Sequence, residues 1–333
     1  MRATPAHDVH AHYYPPEYVA VVREVAAEAG PVGAVARAFL EHRIITAVPA
    51  FLGDLPGRIR LMDEAGIDIQ VLSFASLNIW HDDPEVRARL TRAFNDGCAA
   101  AVAQYPDRLR FLASLPLPHG EQSVAEARRA RGLPGFVGYS IPTHINTVPI
   151  DAEQWEPVYA AMNEEPALVL AHPDGFCAPG ALADYGMEWA IGTPFEDTIA
   201  FVRLACAGLL ERFPRLTWVI PHLGGTLPFL LHRILWRWQL EAELLGTASH
   251  RAAAIERLLF DTANCSPQTL RLATEVLPAG RIVFGTDFPF VDPRDLDRPV
   301  QLIRDLEVAA MSTDGILTGA LAPYLTHRAE APS

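Results

Sequence analysis

The feature that most constrains the fold of this 333-residue chain is a regular alternation of short β-rich runs with longer helical segments. Several runs, such as ALVL at 167–170 and WVI at 218–220, are continuously apolar. Continuous apolar runs are typical of strands buried on both faces, as in a parallel sheet. The alternation predicts eight strands: Ala6–His10, Ile67–Phe74, Leu109–Leu115, Phe136–Ile141, Ala167–His172, Leu216–His222, Leu258–Thr262 and Ile282–Asp287.

The segments between these strands have helical composition. Pro84–Gln104 is rich in alanine and follows two aspartates that are good helix N-caps, and Ala152–Glu164 and Pro194–Phe213 are similar. Glu196 and Asp197 lie in the predicted first turn of the last segment, where carboxylates complement the helix dipole. Eight strands with intervening helices predict an α/β fold, a (β/α)8 TIM barrel, more readily than an open doubly wound sheet.

Two segments depart from the simple repeat. Tyr13–Asp54 is too long for one connection and holds two short helical patterns, so we interpret it as a small cap inserted over the barrel mouth, at about residues 14–55. Asp174–Thr193 is rich in Gly and Pro, and loops of that length at the top of a barrel are usually functional. We therefore predict one barrel domain over residues 1–333, with a cap after its first strand.

Residues of metal-ligand type stand at the ends of four predicted strands, the first, fifth, sixth and eighth. Catalytic groups of a barrel emerge from the C-terminal ends of its strands, so these side chains are expected to meet at its mouth. One histidine at a strand end is more often a buried polar residue, and an HxH pair alone is weak evidence, although residues two apart face the same side. Taken together, the strand ends predict a divalent-cation site formed by His10, His12, His172 and Asp287.

Three imidazoles and one carboxylate suit Zn²⁺ best, with Mn²⁺ also possible. Such a set leaves a position open for water or substrate, which is typical of a catalytic centre. At the sixth strand end, we favour a general acid/base role for His222, because no bridging Lys or Glu for a second metal is evident at the fourth strand. A ligand of a second metal, or a hydrogen-bonding residue beside the site, are the alternatives for this histidine, and Asp287 could also relay protons.

Composition argues against nucleic-acid and membrane partners. The net charge is -13 and the 27 basic residues are scattered without a run, whereas nucleic-acid binding needs clustered Lys and Arg. No stretch reaches the roughly 18 apolar residues of a membrane span, and the first ten residues lack the apolar stretch of a signal peptide. The four cysteines form no CxxC pair. We predict a cytoplasmic protein that has reduced thiols.

Six motifs carry a resemblance to a known family: GIDIQVLS at 66–73, THIN at 143–146, EWAIGTP at 188–194, FPRL at 213–216, HLGG at 222–225 and GTDFPF at 285–290. From Asp8 to about Phe290, the chain resembles the amidohydrolase-related superfamily. Within it, the chain is similar to the branch of 2-amino-3-carboxymuconate-6-semialdehyde decarboxylase and related decarboxylases. The resemblance implies the same four zinc ligands and a role for His222 in handling the water or the proton.

The resemblance also implies substrate contacts. Trp189 looks like the family's active-site tryptophan, and Arg233 looks like the arginine that enters the neighbouring subunit's site, which implies a homodimer. Core filling for Trp189 and a solvated helix position for Arg233 are the alternatives. Phe176, Trp189 and Phe290, together with the cap, predict an apolar pocket suited to an aromatic ligand.

One position departs from the branch. The muconate-semialdehyde enzymes carry a carboxylate-binding arginine about nine residues before the position of Arg58, where this chain has Pro49. Proline cannot form the planar two-pronged bond of an arginine, and Arg43 is a candidate substitute. The natural substrate is therefore expected to differ from that of the branch's namesake.

Three functions follow as hypotheses. The first is metal-dependent, non-oxidative decarboxylation of an unsaturated or aromatic carboxylic acid. The second is hydrolysis of a lactone or amide, or addition of water to a double bond, at the same centre. The third is a non-catalytic barrel, which would tolerate loss of His172. Because decarboxylases and hydrolases of this superfamily share their metal residues, substrate contacts must decide between the first two.

Overall fold

The computed structural model describes residues 4–75, 78–175, 182, 184–245, 251–278, 280–291, 293–306 and 312–325. Eight strands form one sheet, in which consecutive barrel strands pair in parallel. All eight predicted strands are present, so the expected parallel architecture is confirmed. The strands are β1 His7–His12, β2 Ile69–Ser73, β3 Leu109–Ala113, β4 Phe136–Pro142, β5 Ala167–His172, β6 Leu216–Ile220, β7 Leu259–Asp261 and β8 Ile282–Val283.

The first and last strands close the sheet. The backbone N–H of Val9 donates to the carbonyl of Phe284 at 3.0 Å, and the N–H of Asp287 donates to the carbonyl of His10 at 2.8 Å. Just beyond, Ala11 forms a parallel bridge with Phe288. With helices around the closed sheet, the chain is a (β/α)8 barrel.

Two strands end earlier than the sequence predicted. β6 ends at Ile220 rather than at His222, and β8 ends at Val283 rather than at Asp287. His222 has a φ of 53° and Asp287 a φ of 61°, in the left-handed region, so the chain has left the strand conformation before either residue. Both side chains therefore lie on turns above the barrel.

The helices surround the sheet, and Pro84–Gln104 has the predicted bounds. The predicted helix Pro194–Phe213 is two helices, because Gly208 adopts a φ of 65° between them. Most of Ala152–Glu164 is a 3-10 turn followed by a short helix. The helices are α1 Pro16–Ala26, α2 Pro31–Glu41, α3 Arg43–Ala47, α4 Leu55–Ala65, α5 Pro84–Gln104, α6 Gly120–Ala130, α7 Glu156–Met162, α8 Thr193–Cys206, α9 Leu209–Arg212, α10 Leu227–Leu245, α11 Pro267–Val276, α12 Asp297–Arg304 and α13 Ala322–Leu325.

Short elements complete the connections. A two-stranded antiparallel hairpin that the sequence did not predict, His144–Ile145 with Val148–Pro149, follows β4. Short segments of 3-10 or π helix occupy Pro49–Phe51, Glu153–Trp155, Glu188–Gly192, His222–Gly224, Arg251–Glu256, Pro293–Asp295 and Gly315–Gly319. The turn Glu188–Gly192 lies directly before α8 and carries Trp189.

The segment interpreted as a cap forms α1, α2, α3 and the turn Pro49–Phe51. Its aromatic residues pack on one another: the ring of Tyr14 lies 4.7 Å from that of Phe39 and 4.8 Å from that of Phe51. This cluster anchors the segment next to the end of β1. Its role as a cap, and the boundaries of a single domain, stay predictions.

Alternating side chains on the strands divide the core in two. Leu168 and Leu170 of β5 face the barrel interior with Val9, whereas Val169 and Ala171 face the helices outside. Among the described residues, no helix combines the length and the apolar composition that a bilayer span requires. Three of the four cysteines, Cys98, Cys206 and Cys265, are free thiols, and Cys177 lies outside the described residues.

Candidate metal centre

Four residues that the sequence singled out meet at the barrel mouth. One ligand atom each from His10, His12, His172 and Asp287 lies within 4.8 Å of the others, and all four side chains are buried. Nε2 of His10 is 3.1 Å from Nε2 of His12, and Oδ1 of Asp287 lies 3.2 Å and 2.9 Å from these two nitrogens. Strand ends far apart in the chain thus deliver three imidazoles and a carboxylate to one point.

In each of the three imidazoles, Nδ1 forms a hydrogen bond to a group outside the cluster. Nδ1 of His10 donates to Oδ2 of Asp261 at 2.9 Å, and Nδ1 of His172 donates to the carbonyl of Pro173 at 2.8 Å. The hydroxyl of Ser73 donates to the carbonyl of Ala11, so its oxygen accepts from Nδ1 of His12 at 3.0 Å. With Nδ1 protonated in all three rings, each neutral imidazole has its lone pair on Nε2.

These tautomers fit a cation. Lone pairs of two Nε2 atoms 3.1 Å apart repel one another unless a positive charge lies between them. Nε2 of His172 is buried and has no hydrogen-bond partner among the described residues, which is unusual for a buried polar atom. An outer acceptor on every ligating imidazole is the usual arrangement at protein metal sites. The donor set and its surroundings therefore suit a divalent ion.

The protonation equilibria of two of the three histidines agree with neutral imidazoles. Burial lowers the pKa of His12 to about 4 and holds the pKa of His172 well below its usual value, so both rings are neutral at pH 7. Burial also lowers the pKa of His10, but the carboxylates of Asp261 and Asp287 outweigh it and raise that pKa to about 10. A cation at Nε2 of His10 would compensate the same two carboxylates in place of that proton.

His222 stands beside the cluster and is held by a second carboxylate. Its Nδ1 donates to Oδ2 of Asp197 at 2.9 Å, and its Nε2 lies 3.5 Å from Oδ2 of Asp287. Burial lowers the pKa of His222, but the Asp197 carboxylate outweighs it and raises the pKa well above the usual value. Asp197, which the sequence assigned to the helix dipole, is instead fully buried and orients this ring.

A cavity of about 580 Å³ opens above these residues. Predicted contacts Trp189 and Phe290 line it, and so do His172, His222 and Asp287. The cap segment contributes a wall of its own, which sequence reasoning did not resolve into residues: Tyr14, His42 and Ile45. Trp189 is 42% exposed, so its ring faces the open space rather than filling the core.

Other predicted contacts lie elsewhere. Arg233 is exposed on α10 and is not among the residues that line this cavity. Pro49 borders a separate surface cleft beside α4. Phe176 and the side chain of Arg43 lie outside the described part of the chain.

Sequence reasoning missed the partners of the four clustered residues. Asp261 ends β7, and Asn264, three residues further, donates from Nδ2 to Oδ2 of Asp287 at 2.5 Å. The rule that found the other residues, polar groups at strand ends, would have found these had it been applied to the seventh strand. Ser73 at the end of β2 gave no such signal, because a buried serine in a strand is common.

Comparison with known proteins gives matches over most of the chain. A family model described as amidohydrolase matches residues 7–315. A 2-amino-3-carboxymuconate-6-semialdehyde decarboxylase of Dictyostelium discoideum is 25% identical over 287 residues, which cover 85% of this chain and 79% of that protein. A gamma-resorcylate decarboxylase of a Polaromonas species is 30% identical over 254 residues, 70% of this chain and 76% of that protein.

Two further proteins broaden the comparison. A 2-keto-4-carboxy-3-hexenedioate hydratase of a Sphingobium species is 29% identical over 241 residues, 69% of this chain and 68% of that protein. The crystal structure of a 5-carboxyvanillate decarboxylase from Novosphingobium aromaticivorans, in complex with manganese and a nitrobenzoic acid, has a TM-score of 0.79 and 22% identity. The match covers 97% of this chain and 96% of that one, so the two share a fold along their whole length.

Proposed function

Because the chain belongs to the amidohydrolase family, we propose that it is a metal-dependent enzyme that removes CO2 from a small aromatic carboxylic acid. The resemblance that the sequence motifs indicated, to decarboxylases of this family, is confirmed by two of the relatives. The cavity supports the aromatic substrate of this proposal, and the clustered residues support its metal.

The cavity supports an aromatic monoacid. Its volume is in the range of small-molecule sites, and Ile45, Trp189 and Phe290 give it apolar walls. No lysine or arginine is among the described residues that line it. A substrate with three carboxylates, as in the hydratase's name, would need more positive charge than one divalent cation and one arginine from a partner subunit supply. The observation that carries the proposal is this apolar wall facing a His/Asp cluster.

We propose that His10, His12, His172 and Asp287 hold one divalent cation, Mn²⁺ or Zn²⁺. Both metals accept imidazole and carboxylate ligands, and manganese is present in the structurally similar carboxyvanillate decarboxylase. When bound, the ion would supply a Lewis acid that attracts the oxygen atoms of the substrate. The protein's own contribution is the set of outer hydrogen bonds, which fix the three imidazoles before any ion binds.

Loss of CO2 from an aromatic acid requires a proton at the carbon that bears the carboxylate. The bond between that carbon and the carboxylate then breaks, CO2 leaves, and the electron pair of the bond restores the aromatic ring. We assign the proton to His222, because Asp197 holds Nδ1 and leaves Nε2 as the donor on the cavity side. Asp287 is the weaker candidate, since its Oδ1 faces the Nε2 atoms of the cluster and its Oδ2 already accepts from Asn264. One proton is then taken up from solvent in each turnover.

The test is a panel of hydroxybenzoates and aminobenzoates, incubated with protein loaded with Mn²⁺ or Zn²⁺. Release of CO2, with formation of the decarboxylated ring, supports the proposal. A product heavier than its substrate by one water, from unsaturated acids or lactones in the same panel, would instead indicate a hydratase or hydrolase. His222→Gln is expected to retain the metal and lose CO2 release.

We further propose that the enzyme works as a homodimer in which Arg233 reaches the neighbouring cavity. Phe229, Arg233 and Trp236 are exposed on α10, at a spacing that places them on one face of the helix. Phe229 is 82% exposed and Trp236 is 56% exposed, which is costly for a surface that stays in water.

Subunit mixing tests this arrangement. His172→Ala and Arg233→Ala proteins are each expected to be inactive. Their mixed dimer contains one cavity with intact ligands and a partner's intact Arg233. After unfolding and refolding together, activity should therefore return to about a quarter of the wild-type value, because random pairing gives half mixed dimers with one good site each. No recovery would mean that Arg233 acts within its own chain, and an active Arg233→Ala protein would mean that Arg233 takes no part in the reaction.

A further inference from the structure

Asn264 occupies a position that the family's four ligands and His222 do not explain. It follows β7 in a left-handed conformation, with a φ of 52°, which asparagine tolerates better than most residues. The turn that carries it is fixed from below, because Oδ1 of Asp261 accepts from the backbone N–H of Ala263 at 3.0 Å. The side chain of Asn264 lines the cavity.

The two oxygens of Asp287 face different neighbours. Oδ1 lies 2.9 Å from Nε2 of His12 and 3.2 Å from Nε2 of His10, at the centre of the cluster. Oδ2 accepts from Nδ2 of Asn264 at 2.5 Å and lies 3.5 Å from Nε2 of His222, on the cavity side. The backbone of Asp287 is fixed as well, by its N–H on the carbonyl of His10.

We propose that Asn264 is a positioning residue that restricts Asp287 to one ligating oxygen and so keeps a place on the cation free for the substrate. This inference rests on the metal centre of the proposed function. A carboxylate can bind a cation through one oxygen or through both. The amide N–H of Asn264 satisfies Oδ2 and holds it away from the imidazole nitrogens, so only Oδ1 is offered to the ion.

Two variants separate this role from a structural one. Asn264→Gly removes the donor and accepts the left-handed backbone without strain, and Asn264→Asp keeps the shape but replaces the donor with an oxygen that repels Oδ2. The matched control is Asn146→Asp, because Asn146 is exposed, has a φ of 44° and lies in the hairpin after β4. Melting temperatures of all three proteins show whether the fold is retained.

The decisive readout is the visible spectrum of the Co²⁺-loaded proteins, which needs no substrate. Visible absorption of Co²⁺ weakens as its coordination number rises. Once Oδ2 is released to join Oδ1, both Asn264 variants should therefore absorb less than wild type, while Asn146→Asp should match wild type. Chelator competition should show Co²⁺ affinity that is unchanged or higher, because the variants gain a ligand.

Catalysis gives an independent measure once a substrate is known. The variants' kcat/KM should fall about 10- to 100-fold, mostly through KM, because the substrate must then displace Oδ2. Wild-type cobalt spectra in both variants, or a loss of cobalt affinity with an unchanged spectrum, would overturn the proposal. If no acid in the panel reacts with wild-type protein, the proposed reaction fails, yet the spectra still decide the role of Asn264.

Discussion

The barrel interior has two regions that are built from the same strands but are held together differently. Below the mouth, Leu168 and Leu170 of β5 pack with Val9, Val219 and other buried apolar side chains. At the mouth, the next inward-facing residue of that strand is His172, while β1 contributes two more imidazoles and the turn after β8 contributes the carboxylate of Asp287. A shift of two residues along one strand changes the environment from hydrocarbon to a cluster of ionisable groups.

The lower interior and the mouth of the barrel place different requirements on their side chains. Apolar packing is not directional, so any set of side chains of suitable total volume fills the lower interior. The mouth requires a partner for every nitrogen and oxygen, because a buried polar atom without one is costly. The lower region therefore stabilises the fold, whereas the mouth keeps its polar side chains in fixed positions at a cost in stability.

The largest effect is expected at the mouth. His172→Ala removes one of the three imidazoles, and we expect cation affinity to fall by more than about 100-fold, the upper range for losing an outer partner. Activity should fall to background, while the melting temperature of the metal-free protein stays near that of wild type. Metal analysis after dialysis measures the affinity, and His232→Ala, which removes an exposed imidazole on α10, serves as control. Retained metal would remove His172 from the ligand set.

The lower region should respond in the opposite way. Leu168→Ala leaves a cavity among packed side chains, and we expect the free energy of unfolding to fall by about 2–5 kcal/mol. Cation affinity of the folded protein should stay at the wild-type value. Urea unfolding measures the first quantity, with the partly exposed Leu272→Ala on α11 as control. If Leu168→Ala lost metal but not stability, the two regions would not be separable.

Two carboxylates at the mouth, those of Asp261 and Asp197, accept hydrogen bonds from different histidines, and their substitutions should have different effects. Oδ1 of Asp261 accepts from the backbone N–H groups of His222 and Ala263, so an Asn side chain there would turn its amide hydrogens toward Nδ1 of His10. Nε2 of His10 would then carry the proton and could not bind a cation. We expect Asp261→Asn to lower metal affinity about 10- to 100-fold. Asp197→Asn, the matched control, should lower turnover with the metal affinity unchanged.

The smallest effect is expected at Ser73. Ser73→Ala removes a neutral acceptor from Nδ1 of His12, and a neutral hydrogen bond contributes about 0.5–1.5 kcal/mol, so metal affinity should fall only about 2- to 10-fold. Ser140→Ala controls for loss of a hydroxyl, because Ser140 is a buried barrel serine on β4 whose hydroxyl donates to the carbonyl of Phe74. A loss as large as that of Asp261→Asn would mean that the charge of the outer partner is unimportant.

The sequence predicted the barrel well because its evidence is local. Apolar runs and helical composition are properties of neighbouring residues, and eight runs specify eight strands. Their ends were predicted less well: β6 and β8 stop before His222 and Asp287, since a left-handed residue leaves no mark on hydrophobic periodicity. The hairpin after β4 was missed because two-residue strands carry no periodic signal.

The four clustered residues were also within reach of sequence reasoning, because topology alone brings the C-terminal ends of parallel strands to one rim. The sequence by itself determined that rim and the residue types on it. Only the tertiary structure decided which group faces which: Asp261 with His10 across 251 positions, Asp197 with His222, and Asn264 with Asp287. Such pairs depend on turn conformations and distances of a few ångströms, and neither is encoded in the periodicity of a strand.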